Sequence, residues 1–221
     1  MPNQNYTPLK TFCLLFLLFF LATPPVKSQN KAFIAGAFIG FYGIEIKGQI
    51  KDMYSPGKIS GKGGFSFGFN VKRDFSKKFY GALEMRYIQK GSINTIITYA
   101  GSQSWEAIHL GYIEVPLSVG LKIKLKKKQL YFESGLAYAR MIISKMMLSP
   151  SNYWDCSAKI NNFKRNDISW VAALKYPILK NEKLVLGLRY SYSLFTIHSL
   201  YKLYNMDYGI ELYYLFNRNV K

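Results

Sequence analysis

Along much of this chain, large apolar residues alternate with small or polar ones at a period of two. The cleanest case is Leu184 to Phe195, LVLGLRYSYSLF. Leu184, Leu186, Leu188, Tyr190, Tyr192 and Leu194 hold one parity; Val185, Gly187, Arg189, Ser191, Ser193 and Phe195 hold the other. Successive side chains of a β-strand point to opposite faces, so the two sets lie on opposite sides of a sheet. The stretch is long enough to cross a bilayer at a tilt, which takes roughly 9–11 residues.

The pattern recurs. Phe65, Phe67, Phe69 and Val71 oppose Gly64, Ser66, Gly68 and Asn70. Phe79, Leu83, Met85 and Tyr87 oppose Tyr80, Ala82, Glu84, Arg86 and Ile88. Leu110 to Leu125, Leu130 to Ile143, Ile168 to Ile178 and Asp207 to Phe216 behave alike, and Pro116 predicts a local irregularity inside its strand. Ala32 to Ile46 is apolar and Gly-rich with poor alternation, so its register is the least defined. The connections alternate long and short. Those at 47–61, 91–108, 144–165 and 198–206 are long, and those at 72–78, 126–129 and 179–183 are tight. The expected fold is all-β: an eight-stranded antiparallel up-and-down transmembrane β-barrel, with long loops at one rim and both termini at the other.

A soluble ligand-binding barrel would turn its apolar set inward. Two features favour lipid on that set. The other parity is mostly Gly, Ala and Ser, which suits a cramped interior, and Tyr or Phe recurs near strand ends as in an interfacial girdle. The charges Glu84, Arg86, Glu114, Lys122, Glu133, Lys175, Arg189 and Glu211 all fall on the small-residue parity. On lipid at the midplane an Arg or Lys costs about 2–4 kcal/mol. Inside, carboxylate and guanidinium can pair. Eight strands leave room only for side chains, so the expectation is an occluded lumen with a structural Glu/Arg/Lys network. A proton-linked or gating role is the alternative.

The first segment reads as an export signal. Lys10 precedes the apolar run Phe12 to Ala22, and Val26 and Ser28 place the cleavage before Gln29. Residues 1–28 are then the signal peptide and 29–221 the barrel domain, carrying a charge of +16 after loss of Lys10 and Lys27 from a chain of +18. This adds a third reason to place the apolar parity on lipid, and it puts the barrel in the outer membrane. Cys156 alone remains, so no intrachain disulfide is expected. The basic balance does not point to nucleic acid, because the lysines sit in connections such as Lys126, Lys127 and Lys128 and no basic helix occurs.

Three stretches carry a resemblance: FYGALEMRYIQKG at 79–91, YIEVPL at 112–117 and LYFESGLAYAR at 130–140. They resemble the PorT-like outer-membrane β-barrel family. The resemblance implies an outer-membrane location and, for one branch, service to a type IX-like secretion apparatus and gliding motility. Many such barrels end on an aromatic residue, whereas here Phe216 is followed by NRNVK.

Catalytic chemistry is thinly provided. His109, His198, Ser199, Asp52, Asp155 and Asp207 fall near the long-loop rim, where a His–Ser–acid set could modify lipid A, but no motif assembles them. No enzyme activity, cofactor or metal site is expected; a narrow channel is a further alternative. GKGGFSFGFN lacks the ending of a phosphate loop. The best interaction candidate is the loop at 149–163, with Tyr153, Trp154 and Phe163; a loop folded onto its own barrel mouth is the equal alternative. Expected partners are outer-membrane lipid around a monomeric barrel, and envelope or secretion proteins.

Overall fold

The computed structural model describes residues 33–48, 57–97, 103–125, 128–150, 156–159, 162–179 and 182–216, so the segment expected to be the export signal lies outside the described residues. Every regular element among the described residues is a strand: β1 (Ile34–Gly48), β2 (Gly57–Ser60), β3 (Lys62–Asp74), β4 (Phe79–Ile97), β5 (Gln103–Lys124), β6 (Gln129–Pro150), β7 (Cys156–Lys159), β8 (Asn166–Pro177), β9 (Leu184–Ser193) and β10 (Leu203–Leu215). Eight of them close an antiparallel ring in the order β1, β3, β4, β5, β6, β8, β9, β10, and β10 pairs back onto β1. Closure removes the unpaired edges that an open sheet would present to lipid.

The remaining two strands extend the wall. β2 pairs with β4 from Gly57↔Ile96 to Ser60↔Ile93, and β7 pairs with β6 from Lys145↔Lys159 to Leu148↔Cys156. The described parts of 91–108 and 144–165 are therefore largely strand, not loop. β4 continues to Ile97, which pairs with Gln103 of β5, and β6 runs on to Pro150. Backbone groups in a long connection need partners, and a prolonged hairpin supplies them. β4, β5 and β6 reach 19, 22 and 22 residues, whereas β8 and β9 have 12 and 10. One side of the barrel stands much taller than the other.

Pro116 does not break the register, which is the same at Leu83↔Leu117 and Arg86↔Glu114. The irregularity lies at Gly111/Tyr112, where Gly111 pairs with Ile143 and Tyr112 with Met141. Ile142 is the extra residue of a bulge, and beyond it the inward parity of β6 switches.

Alternation is strict in β8 and β9, where every second residue is buried. The outward set includes Phe69, Met85, Leu188 and Ile210, all more than half exposed. β1 resolves with Phe38, Tyr42, Ile44 and Ile46 inward and Ile39 and Phe41 outward. The lumen thus holds more bulk than Gly, Ala and Ser alone would give. Apolar clusters close both ends of the polar interior. Ile44, Ile46, Ile88, Leu110, Phe163 and Ile197 belong to the cluster at the long-loop mouth. Phe38, Val185, Tyr213 and Leu215 pack together at the other end, beside Tyr80 and Tyr131.

Candidate functional site

Between those two apolar layers runs a connected set of ion pairs. It begins near the tight-turn rim with Lys72, 3.2 Å from Glu133. Glu133 also meets Lys175 at 2.6 Å, and Lys175 reaches Glu84 at 2.9 Å. Glu84 pairs with Arg86 and lies 3.6 Å from Arg189. Arg86 contacts Glu211 at 2.7 Å, and Arg189 contacts Glu114 at 2.5 Å. Glu114 then meets Lys90 at 3.0 Å, with Asp207 at 3.3 Å and Asp167 at 4.0 Å from the same ammonium.

Seven ring strands contribute a charge, and the eighth, β1, contributes Tyr42. Its hydroxyl donates to Glu211 and accepts from Arg86 at 3.0 Å. Other tyrosines complete the set. Tyr80 donates to Glu133 at 2.9 Å, and the single hydroxyl proton of Tyr213 is shared between Glu84, at 3.1 Å, and Glu211. Tyr213 also stacks its ring 4.2 Å from the Lys175 ammonium, and Phe38 lies 4.6 Å from the Arg86 guanidinium. At the long-loop end Asp167 accepts from Ser193 at 2.8 Å and from Asn205 at 3.0 Å.

Tyrosine rings fit because glycines face them. A Cβ on Gly120 would lie 2.1 Å from the Tyr80 ring, and one on Gly209 would lie 2.6 Å from that of Tyr42. Gly91 has φ +136°, a conformation that favours glycine, and it sits where β4 leaves the barrel body for its extension.

Of the eight charges expected in the lumen, Glu84, Arg86, Glu114, Glu133, Lys175, Arg189 and Glu211 are brought together, all buried. Lys122 is not. It pairs with Asp74 at 2.6 Å near the tight-turn rim, because its strand is ending there. Sequence reasoning passed over Lys72, Lys90, Asp167 and Asp207 as network members. Each continues the inward parity of its strand, so the signal was present, but all four stand near strand ends that read as turn or loop. The tyrosine hydroxyls carried no comparable signal.

Desolvating these ions costs several kcal/mol each, and pairing recovers this only with good geometry and further hydrogen bonds. Every buried carboxylate here has a cation within 4.0 Å. The arrangement therefore cross-links opposite walls of the barrel. Removing a member whose partner has no second counterion among the described residues, as Arg86 is for Glu211, leaves a buried charge unpaired.

The rim residues do not converge on one another. His198 accepts at Nδ1 from the backbone N–H groups of Leu200 and Tyr201, and Ser199 Oγ donates to the Asn162 carbonyl at 3.1 Å. His109 Nδ1 lies 3.0 Å from Lys62 Nζ, and Asp207 is held in the Lys90 layer. Asp52 and Asp155 lie outside the described residues. No His, Cys, Asp and Glu grouping suited to a metal ion occurs among the described residues. In the candidate interaction loop, Tyr153 and Trp154 lie outside the described residues. Phe163 is buried in the mouth cluster and so is not free to meet a partner.

A closed eight-stranded ring with an apolar exterior and an ionic interior defines the class of membrane-spanning β-barrels. The chain matches the family model of the outer membrane protein beta-barrel domain over residues 27–199 and belongs to that family. It is therefore an outer-membrane protein. No curated protein sequence matches it. Similar solved structures include Ail, the attachment invasion locus protein of Yersinia pestis, at 14% identity and TM-score 0.48, covering 85% of this chain and 100% of that one. The outer membrane protein OprG from Pseudomonas aeruginosa stands at 12% identity and TM-score 0.47, covering 85% and 97%. Neisserial surface protein A stands at 9% identity and TM-score 0.46, covering 85% and 100%.

Proposed function

We propose that this barrel is a scaffold or interaction component of the outer membrane with an occluded lumen, of the PorT-like kind that serves type IX-like protein secretion. One observation carries the scaffold reading: the interior is filled by the cross-wall ion network and closed by apolar clusters above and below it. An interior braced in this way gives a rigid wall on which loops and extended strands can be presented. On this reading the lumen conducts no solute.

The PorT-like assignment is supported by what the three resembling stretches encode. FYGALEMRYIQKG supplies Tyr80, Glu84, Arg86, Lys90 and Gly91; YIEVPL supplies Tyr112 and Glu114; LYFESGLAYAR supplies Tyr131 and Glu133. The stretches thus supply five of the network's eleven charges, Glu84, Arg86, Lys90, Glu114 and Glu133, which is the kind of residue a shared scaffold would keep.

Two measurements test the proposal. Wild-type protein in planar lipid bilayers is expected to give no unitary conductance steps; regular steps would replace the scaffold with a narrow channel. Cross-linking in native membranes is expected to capture secretion-apparatus proteins. Recovery of the barrel with lipid alone would end the secretion assignment.

A further inference from the structure

The β9–β10 connection at 194–202 folds back over the long-loop mouth, and its backbone is tied down. Ile197 N–H donates to Leu203 O at 2.8 Å, Thr196 Oγ1 donates to Tyr201 O at 2.8 Å, and Lys164 N–H donates to Ile197 O at 2.7 Å. Ser199 N–H donates to Asn162 O at 3.0 Å, and Phe163 bridges His198. This places Ile197, 0% exposed, and Phe163, 5% exposed, on the apolar layer formed by Ile44, Ile46, Ile88 and Leu110. The two side chains form a cap.

His198 sits at the turn of this cap and is 1% exposed. Its Nδ1 accepts two backbone N–H bonds, from Leu200 at 3.2 Å and Tyr201 at 3.1 Å. The ring lies edge-on to Phe163 and packs on Tyr201, each with centroids 5.1 Å apart. A neutral imidazole accepts at one nitrogen only, so this hydrogen bonding assigns the proton to Nε2. Nε2 is buried and has no hydrogen-bond partner among the described residues.

We propose that His198 is a proton-operated latch on the barrel mouth: a proton taken from the medium at Nδ1 turns the acceptor into a donor facing two donors and releases the cap. Both backbone bonds are lost at once, and an imidazolium is left among aromatic rings. Burial already holds the His198 pKa below the ordinary histidine value, with no charged neighbour offsetting it. The charged and titratable groups on the elements packed around it are Tyr201 and Lys202 in its own loop, Lys164 and Arg165 on the facing segment, and Lys90, Asp167 and Asp207 in the lumen layer. Lys90 lies within 4.0 Å of both carboxylates, and Asp167 also accepts from Ser193 and Asn205.

Amide exchange on the folded protein in detergent micelles, corrected for intrinsic rates and compared at about pH 7.5 and about pH 5, brackets the histidine range. In the wild type, protection over 196–203 is expected to fall about tenfold or more at the lower pH, as loss of two hydrogen bonds implies. His198→Asn, whose amide oxygen accepts without titrating, is expected to keep its protection at both. Equal wild-type protection at the two values would overturn the latch, as would equal loss in His198→Asn. If that variant does not fold, nitrogen-15 histidine spectra of the wild type decide the matter. An Nδ1–H tautomer, or an ordinary or raised titration of His198, overturns it.

Discussion

Arg86→Leu isolates what the lumen network does. Arg86 is 1% exposed and is the cation that Glu211 meets, at 2.7 Å, among the described residues. Leucine leaves Glu211 with only the hydroxyls of Tyr42 and Tyr213. Glu84 is less affected, because Lys175 at 2.9 Å and Arg189 at 3.6 Å remain. Breaking a buried pair from one side costs about 3–5 kcal/mol, so Arg86→Leu is expected to lose that much. Lys72→Met gives the contrast. Glu133 keeps Lys175 at 2.6 Å, and the Lys72 side chain is 9% exposed near the rim, so about 1 kcal/mol is expected. The double variant Arg86→Leu/Glu211→Gln removes the stranded charge as well and is expected to recover most of the loss, ending within about 1–2 kcal/mol of wild type. Urea unfolding in phospholipid vesicles, followed by tryptophan fluorescence, reads these differences from midpoints at constant slope. An Arg86→Leu barrel as stable as wild type, or a double variant worse than the single, would refute the bracing argument.

Three further outcomes are expected. Ile210→Arg, at an outward position 56% exposed, should destabilise the folded barrel in vesicles by about 2–4 kcal/mol if it lies near the midplane, measured by the same unfolding assay. Gly120→Ala should cost about 1–3 kcal/mol by overpacking, because its methyl meets the Tyr80 ring and displaces the hydroxyl that binds Glu133; the check is its midpoint against that of Gly120→Ala/Tyr80→Phe. With His198 held below its unfolded pKa, the unfolded chain takes up the proton first, so the latch's share of stability is full above about pH 6.5 and is lost as pH falls below it. Unfolding midpoints of wild type and His198→Asn across that range should diverge only on the acid side.

The pattern was legible where a strand has one face on lipid and one in the lumen. β8, β9 and β10 read directly, because Trp170, Leu174, Leu188 and Ile210 alternate with Ser169, Ala173, Arg189 and Glu211. β1 did not read, since bulky residues face both ways: Phe38 and Tyr42 inward, Ile39 and Phe41 outward. Hydrophobicity separates lipid from polar interior, but it cannot separate lipid from an apolar cap inside the barrel. Phe163 was legible only as one of two alternatives, and it lies in the mouth cluster beside Ile88 and Leu110. Charges at mid-strand, such as Arg86 and Glu114, declared themselves because lipid forbids them. Lys90 and Asp207 lie nearer the mouth, where a loop would equally carry a charge. The bulge at Ile142 left no mark in its own strand, where neither neighbour is glycine or proline, and its one glycine, Gly111, stands on the facing strand.

The described lumen and its margins bury six acidic and six basic side chains, in a chain whose net charge is +18. Among the described residues, then, the buried charges balance, and the described surplus lies on side chains outside the lumen. Mobile ions screen over about 8–10 Å at physiological strength, but only where they can enter. Raising the salt concentration should weaken whatever adheres to the barrel from outside, phosphate-bearing surfaces first, while its own unfolding midpoint barely moves. Cohesion and adhesion in this protein are governed by two separate electrostatic compartments.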